Sequence, residues 1–341
     1  MAMAINRYEE VEAIGTNLDP LTDLITWLEY YSAVDYVVSL LTERHGVASP
    51  SAMARAQLVR PHARLAREYI EQALSGPSDV AFLSIYYAIL NLLKICILFG
   101  PRHALLPQNR WHGATYDGFQ KDSQTLLTEK ITVKKSGAIP LFYETITGRA
   151  VKKNTPLSLA EIYPYLLDVS AEFGMATGNP PKLAQLTFAV ATTAEHKRLQ
   201  VRVSVRKNTP LPRLNQLKAL VGFEKDPSGR PGLFISKPIE GTHPAQIQPH
   251  LRRCLLYQNI SEADPYCRIS GSHFVFPEEF PIALAFFHLS SVVRYKPEFL
   301  ARLKDSKYWP VVSTARRHCL LKFLITFWSF THKKTIFINP G

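Results

Sequence analysis

The stretch FLSIYYAILNLLKICILF, residues 82–99, decides the fold, and it is followed by WHG at 111–113. Nearly every position in the stretch is apolar. At about 100° per residue, Ser84, Tyr87, Asn91 and Lys94 fall within roughly 80° of arc. Phe82, Ile85, Ile89, Leu93 and Cys96 take the far side, and Tyr86, Leu90 and Ile97 extend the apolar region. A helix apolar almost all round with one polar edge reads as the central helix of a bundle. Val80 to Phe99 is also long enough to span a bilayer. Ser84, Asn91 and Lys94 interrupt it, so no stable membrane insertion is expected.

Helical spacing continues on the N-terminal side. Residues 20–45 repeat apolar positions helically, with Thr22 or Asp23 as N-cap, and 52–75 form a second amphipathic helix with a kink at Pro61. Gly46–Pro50, Ser75-Gly76-Pro77 and Gly100-Pro101 separate the segments. Three helices with short breaks predict a bundle. After Gly113 the pattern changes. ITVKKSGAIPLFYETITG (131–148) reads as short β-rich runs around a glycine turn, and 158–174 reads as helix. Residues 186–193 and 199–207 alternate as strands, and 232–238 and 266–277 add more. Helices return at 279–295, then through Leu303, then from Pro310 to Phe330. The expected class is α+β. A mainly helical body comes from residues 1–113 and 279–341, and a mixed, β-containing insert from 114–278.

Composition bounds the function. With 46% hydrophobic and 20% charged residues, the chain is not a disordered one. Its net charge of +12 favours an anionic partner: RNA or DNA, a nucleotide, or another small anion. Cys96, Cys254, Cys267 and Cys319 form no CxxC pair, so neither a zinc ribbon nor a redox motif is expected. The N-terminal residues lack a signal-peptide pattern, and a cytoplasmic protein without metal or cofactor is the expectation. There is no Walker A loop, GxGxxG, HExxH or GxSxG, and no RRM, KH, zinc-finger or helix-turn-helix signature.

Polar positions in apolar helices are the candidate site, since each costs a few kcal/mol if buried unpaired. Tyr87, Asn91 and Lys94 form one stripe. His288, Ser291 and Tyr295, with Arg294 beside them, form a second stripe on the 279–295 helix. Facing each other, and joined by His112, the two stripes would make one basic cluster. Lys94, His112 and Arg294 are its candidate catalytic residues, and all eight its candidate ligand contacts. Lys94 and Asn91 either hold an anion in a cleft, or Lys94 snorkels outward and Asn91 satisfies a neighbouring backbone group. Arg198, Arg202 and Arg206 alternate in a strand, as a row of phosphate contacts or as a solvated face.

Several blocks resemble the YaaC-like family of bacterial proteins. They are Trp27 with YYSAVDYVVSLL, YIEQAL at 69–74, YYAILNLLKICIL at 86–98, His112-Gly113, and HLSSVVRYKPEFLARL at 288–303. The resemblance covers about the first 115 and the last 60 residues. Phe299-Leu300 departs from it, where the family tends to carry tryptophans. The family's helical core looks similar to HEPN-type domains, many of which cleave or bind RNA in toxin and defence systems. HEPN ribonucleases share an Arg-x4–6-His motif. Arg55/His62 and Arg268/His273 match it, but 21 arginines and 11 histidines give about two matches by chance. Three readings stand: a nucleic-acid-associated or defence-type accessory protein, an enzyme or sensor of a small anionic metabolite or nucleotide, and a homodimeric interaction protein. Whether the chain is an enzyme stays open.

Overall fold

Asp19 and Pro20 start the helical body. The Asp19 carboxylate accepts the Thr22 N–H at 3.3 Å and the Thr22 hydroxyl at 2.9 Å, and proline suits a first helical turn. Asp19, rather than Thr22 or Asp23, is therefore the cap of α1 (Pro20–Trp27). A 3-10 turn (Leu28–Ser32) and an extended Ala33 break the expected 20–45 helix before α2 (Val34–Ser39) and a π turn (Leu40–Arg44). Then α3 (Ser49–Ser75) and α4 (Ser78–Phe99) form a hairpin, with α3 running on through Pro61. The structure, a computed structural model, describes residues 8, 10–15, 19–118, 125–179, 182–192, 197–204, 223–236, 256–258, 265–268 and 277–339.

The α3 face turned to α4 is small. Ala52, Ala56, Val59, Ala63, Ala66, Ile70 and Ala73 are all fully buried. Their alternating steps of three and four make a narrow seam, and the missing side-chain bulk lets the helices approach closely. On α4, Ile85, Ile89, Leu92 and Ile95 are fully buried as well. Ala63→Leu should therefore cost about 1–3 kcal/mol by overpacking, while Ala54→Leu on the exposed face should be near neutral. Urea denaturation of the two variants checks this, and equal midpoints would refute the tight seam.

The body is completed by α8 (Glu279–Tyr295), α9 (Pro297–Lys304) and α10 (Trp309–His332), numbered after three helices among the described residues of the middle region. α4 packs against α3, α8 and α10, so it is the central helix that the sequence predicts. Among the described residues one helix, Asp79–Phe99, is long and apolar enough to cross a membrane, but 83% of the qualifying window is buried inside the protein. Tyr31 anchors the aromatic end of the core against Phe99, Phe327 and Trp328, and its hydroxyl bonds Thr331.

The middle region holds α5 (Ala138–Thr147), α6 (Leu159–Ile162) and α7 (Ser170–Thr177). Residues 138–147, expected as strand, are helix. Gly137 and a left-handed Gly148 bound the segment, and Pro140 lies in its first turn, where no backbone donor is needed. The expected 158–174 helix is interrupted by 3-10 turns around Pro164. Phe142 packs on Phe323, and Tyr143 on Phe280, so these helices share the body's core.

Among the described residues three sheets accompany the helices. Strands β1 (Glu10–Gly15) and β11 (Lys334–Asn339) pair in parallel and join the two ends of the chain. Strands β2 (Ala114–Tyr116), β3 (Lys130–Val133) and β4 (Thr155–Ser158) form an antiparallel meander. The remaining strands are β5 (Leu183–Thr192), β6 (Lys197–Ser204), β7 (Phe223–Lys225), β8 (Leu233–Ser236), β9 (Leu256–Gln258) and β10 (Pro265–Arg268). Their antiparallel order is β7-β8-β6-β5-β10-β9. The protein is thus α+β, with helices dominant and the strands in small sheets.

Candidate functional site

The polar edge of α4 faces α3. Ser84 donates to the Gln72 amide oxygen at 3.3 Å, and the Tyr87 ring stacks on Tyr69. Asn91 is oriented by its own helix: Nδ2 donates to the Tyr87 carbonyl at 2.8 Å. A carbonyl only accepts, so Oδ1 must face the other way, where His62 Nδ1 lies at 2.7 Å. An amide oxygen also only accepts, so Nδ1 of His62 carries the proton and Nε2 keeps a bare lone pair. Burial lowers the His62 pKa, the hydrogen bond that His62 donates to Asn91 works against this, and the charge of Lys94 adds to the lowering.

Lys94 is half-buried and its pKa is lowered, first by burial and then by Arg110. Among the described residues no carboxylate lies within ion-pair distance of it or of Arg294. Arg294 comes from the last turn of α8. Its Nε donates to the Ser290 carbonyl at 3.2 Å, and its guanidinium lies over the Tyr295 ring, 5.0 Å from the centroid. Both cations act on one imidazole: the His112 pKa is lowered by burial, then by Arg294, then by Lys94. Nδ1 of His112 stands 2.5 Å from the Tyr86 hydroxyl, whose pKa burial pushes well up, so the phenol keeps its proton.

The loop that carries His112 is held by backbone. The Trp111 and His112 carbonyls accept the first amides of α5, from Ala138 at 2.8 Å and Ile139 at 3.0 Å. The Gly113 carbonyl accepts Lys134 N–H at 2.9 Å, and Asn109 Oδ1 accepts Gly137 N–H at 2.8 Å. Gly113 (φ 80°) and Gly137 (φ 116°) lie back to back, and a Cβ on Gly137 would stand 2.3 Å from the Gly113 Cα. The glycine after His112 is thus required by chain crossing, and it fixes where the imidazole starts.

Not every expected member joins. His288 is fully buried and bonds Glu129 at 3.3 Å; the same carboxylate accepts the Tyr116 hydroxyl. That trio ties α8 to the β2–β3 region, away from Lys94. The Ser291 hydroxyl donates to the Phe287 carbonyl of its own helix at 2.9 Å, and the Tyr295 side chain is half exposed. The two stripes therefore do not face each other along their length: α4 turns Ser84, Tyr87 and Asn91 to α3, and of α8's stripe Arg294 is the member that bears on His112. Tyr86 and His62 join the cluster from outside both stripes. Tyr86 lies one position off the polar edge of α4, and His62 sits three residues from Val59 and four from Ala66, on the flank of α3's inward face. Arg198 and Arg202 hold β6 register positions of one parity, opposite Ala191 and Thr187, whereas Arg206 and His273 lie outside the described residues. Among the described residues no three His, Cys, Asp or Glu side chains gather as a metal would need.

The sequence match to the YaaC-like Protein family spans residues 29–331. The chain belongs to the YaaC-like family. That span includes α3, α4, the His112 loop and Arg294, and leaves β1 and β11 outside. Among curated proteins and among solved structures nothing matches this YaaC-like chain.

Proposed function

We propose that this YaaC-like protein binds a phosphate-bearing small anion, of nucleotide class, where Lys94, Arg294 and His112 converge. The observation that carries the reading is two cations from different helices bearing on one neutral histidine, with no carboxylate among the described residues to neutralise them. Such a site repels cations and lacks its counter-ion until an anion arrives. With the Tyr86 hydroxyl donating to His112 Nδ1, the other ring nitrogen carries the imidazole proton and can donate to a phosphate oxygen. The His62 Nε2 lone pair adds an acceptor for a ligand hydroxyl or amine.

Lys94→Met combined with Arg294→Met tests it. Each lost charge-assisted contact is worth about tenfold or more, so ATP affinity should fall by about a hundredfold with the fold intact by circular dichroism. Unchanged ATP affinity in the double variant would remove the proposal.

A second reading, a nucleic-acid-associated and defence-type role on a HEPN-like helical body, rests on the net charge of +12. Arg55 and His62, the motif-like pair, lie two turns apart on α3 with both side chains bonded to α4 or the turn after it, and a match at chance frequency adds no weight to this reading. Association with RNA whose affinity falls steeply with salt would favour this reading, and a flat salt profile would discard it.

A further inference from the structure

A different basic cleft opens at the far end of the α3–α4 hairpin, with a volume of about 610 Å³. Its lining includes His45, Ser51, Arg55, Phe99, Phe330 and Lys333, with no carboxylate among the lining residues. Arg55 is clamped in place. Its Nε donates to Ser51 Oγ at 3.2 Å, and Nη1 donates to the Leu98 and Gly100 carbonyls at 3.3 and 3.4 Å. These bonds cap the C-terminal end of α4 and leave Nη2 without a bond to any described residue.

Lys333 stands on the other side, at the end of α10. It is the single non-glycine among the described residues with positive φ, at 51°. Glycine is the usual occupant of that conformation, and lysine there carries a backbone cost. What lysine adds over glycine is an ammonium group at the cleft. Ala48 and Ser51, at the start of the 27-residue α3, also line it. That end has no side-chain cap and no acidic residue in its first turn, so its positive pole adds to the two cations.

The other wall is aromatic. The His45 ring meets Phe99 edge to face at 5.1 Å and lies tilted against Phe330 at 6.0 Å. His45 Nε2 donates to the Thr331 carbonyl at 2.9 Å, which leaves Nδ1 as an acceptor. Burial holds this histidine's pKa down at about 4, so it adds no charge at neutral pH.

We propose that this cleft is a second ligand site, for a nucleoside-monophosphate-class molecule. Arg55, Lys333 and the α3 end take its phosphate, and Phe330 and His45 take its planar base. The volume falls in the range of small-molecule pockets. The site is independent of the one at Lys94, so either can fail alone.

Calorimetric titration of the full chain with adenosine 5′-monophosphate, adenosine and inorganic phosphate tests it. The monophosphate should bind more tightly than either part. Lys333→Gly removes the charge while relaxing the backbone, so its melting temperature should hold or rise while monophosphate affinity falls about tenfold. Arg55→Gln should act in the same direction, and with the first site disabled by Lys94→Met and Arg294→Met the monophosphate should still bind, and Lys333→Gly should still weaken it. The proposal is overturned by wild-type affinity in Lys333→Gly, by adenosine binding as tightly as its monophosphate, or by no binding at millimolar concentration. Loss in the Lys94/Arg294 double variant with retention in Lys333→Gly would also overturn it, and would leave the first site standing.

Discussion

Gly137→Ala is expected to destabilise the protein by roughly 3–5 kcal/mol and to displace His112. Gly137 has φ 116° and ψ 177°, a region open in practice to glycine alone. A Cβ there would lie 2.3 Å from Gly113 Cα, 2.6 Å from Gly113 N and 2.9 Å from Trp111 Cδ1. Two of those atoms are backbone, so no rotamer change relieves the clash. The Gly113 strand of chain must move instead. Moving it breaks the bonds from Ala138 and Ile139 to the Trp111 and His112 carbonyls. Gly148→Ala is the matched control. It shares a positive φ, of 69°, but a Cβ there meets nothing within 4 Å. Its cost should be that of a left-handed alanine, about 1 kcal/mol. Denaturant midpoints, with ATP affinity as the second readout, separate the two. Equal midpoints for both variants would show that the crossing at Gly113 tolerates a methyl group.

The central helix is legible in the sequence because bulk apolarity over more than five turns has to be buried somewhere, and the middle of a bundle is where it fits. The direction of its polar edge is less legible. Periodicity assigns residues to a face, but not the neighbour opposite that face. Ser84, Tyr87 and Asn91 point to α3, and they find partners in Gln72, Tyr69 and His62. The charges of Lys94 and Arg294 both bear on His112, as the two polar stripes suggest, yet Ser291 bonds within its own helix and His288 bonds Glu129 instead. Glu129, the partner of His288, is 159 positions away, and helical periodicity says nothing about a partner at that separation. Residues 138–147 read as strand because Ile, Phe, Tyr and Thr favour strands, and propensity yields to packing. The signals for helix there are local: a proline in the first turn and a glycine just past the end. The same logic places the cap at Asp19, since Pro20 after it marks the first helical residue.

Mild acid should destabilise the protein steeply, well before carboxylates titrate. His45, His62, His103, His112, His288 and His332 all have lowered pKa values, and burial is the first cause for each. In the unfolded chain these imidazoles take up protons as the pH falls through about 6.5. In the folded chain they resist. The unfolded state therefore binds more protons below pH 6.5, and stability must fall as pH falls. Each histidine held neutral contributes about 1.4 kcal/mol per pH unit across the window between its two pKa values. For His45 that window runs from 6.5 down to about 4. His288 is fully buried, and His45 is partly buried against Phe99 and Phe330. His45 alone gives roughly 2 kcal/mol of lost stability between pH 6.5 and 5, and His288 adds in the same direction. The more exposed His103 adds least, because solvent screens it. The carboxylates with lowered pKa values, Glu10 and Asp19, start from ordinary values of 4.5 and 3.8, so their contribution begins at lower pH. Urea denaturation at half-unit steps from pH 7.5 to 5 measures the slope. His45→Gln should cut it by about one proton's worth while leaving the rest. A stability that stays flat from pH 7 to 5 would mean that the buried imidazoles are free to charge in place, and that the basic clusters around them are wetter than the geometry requires.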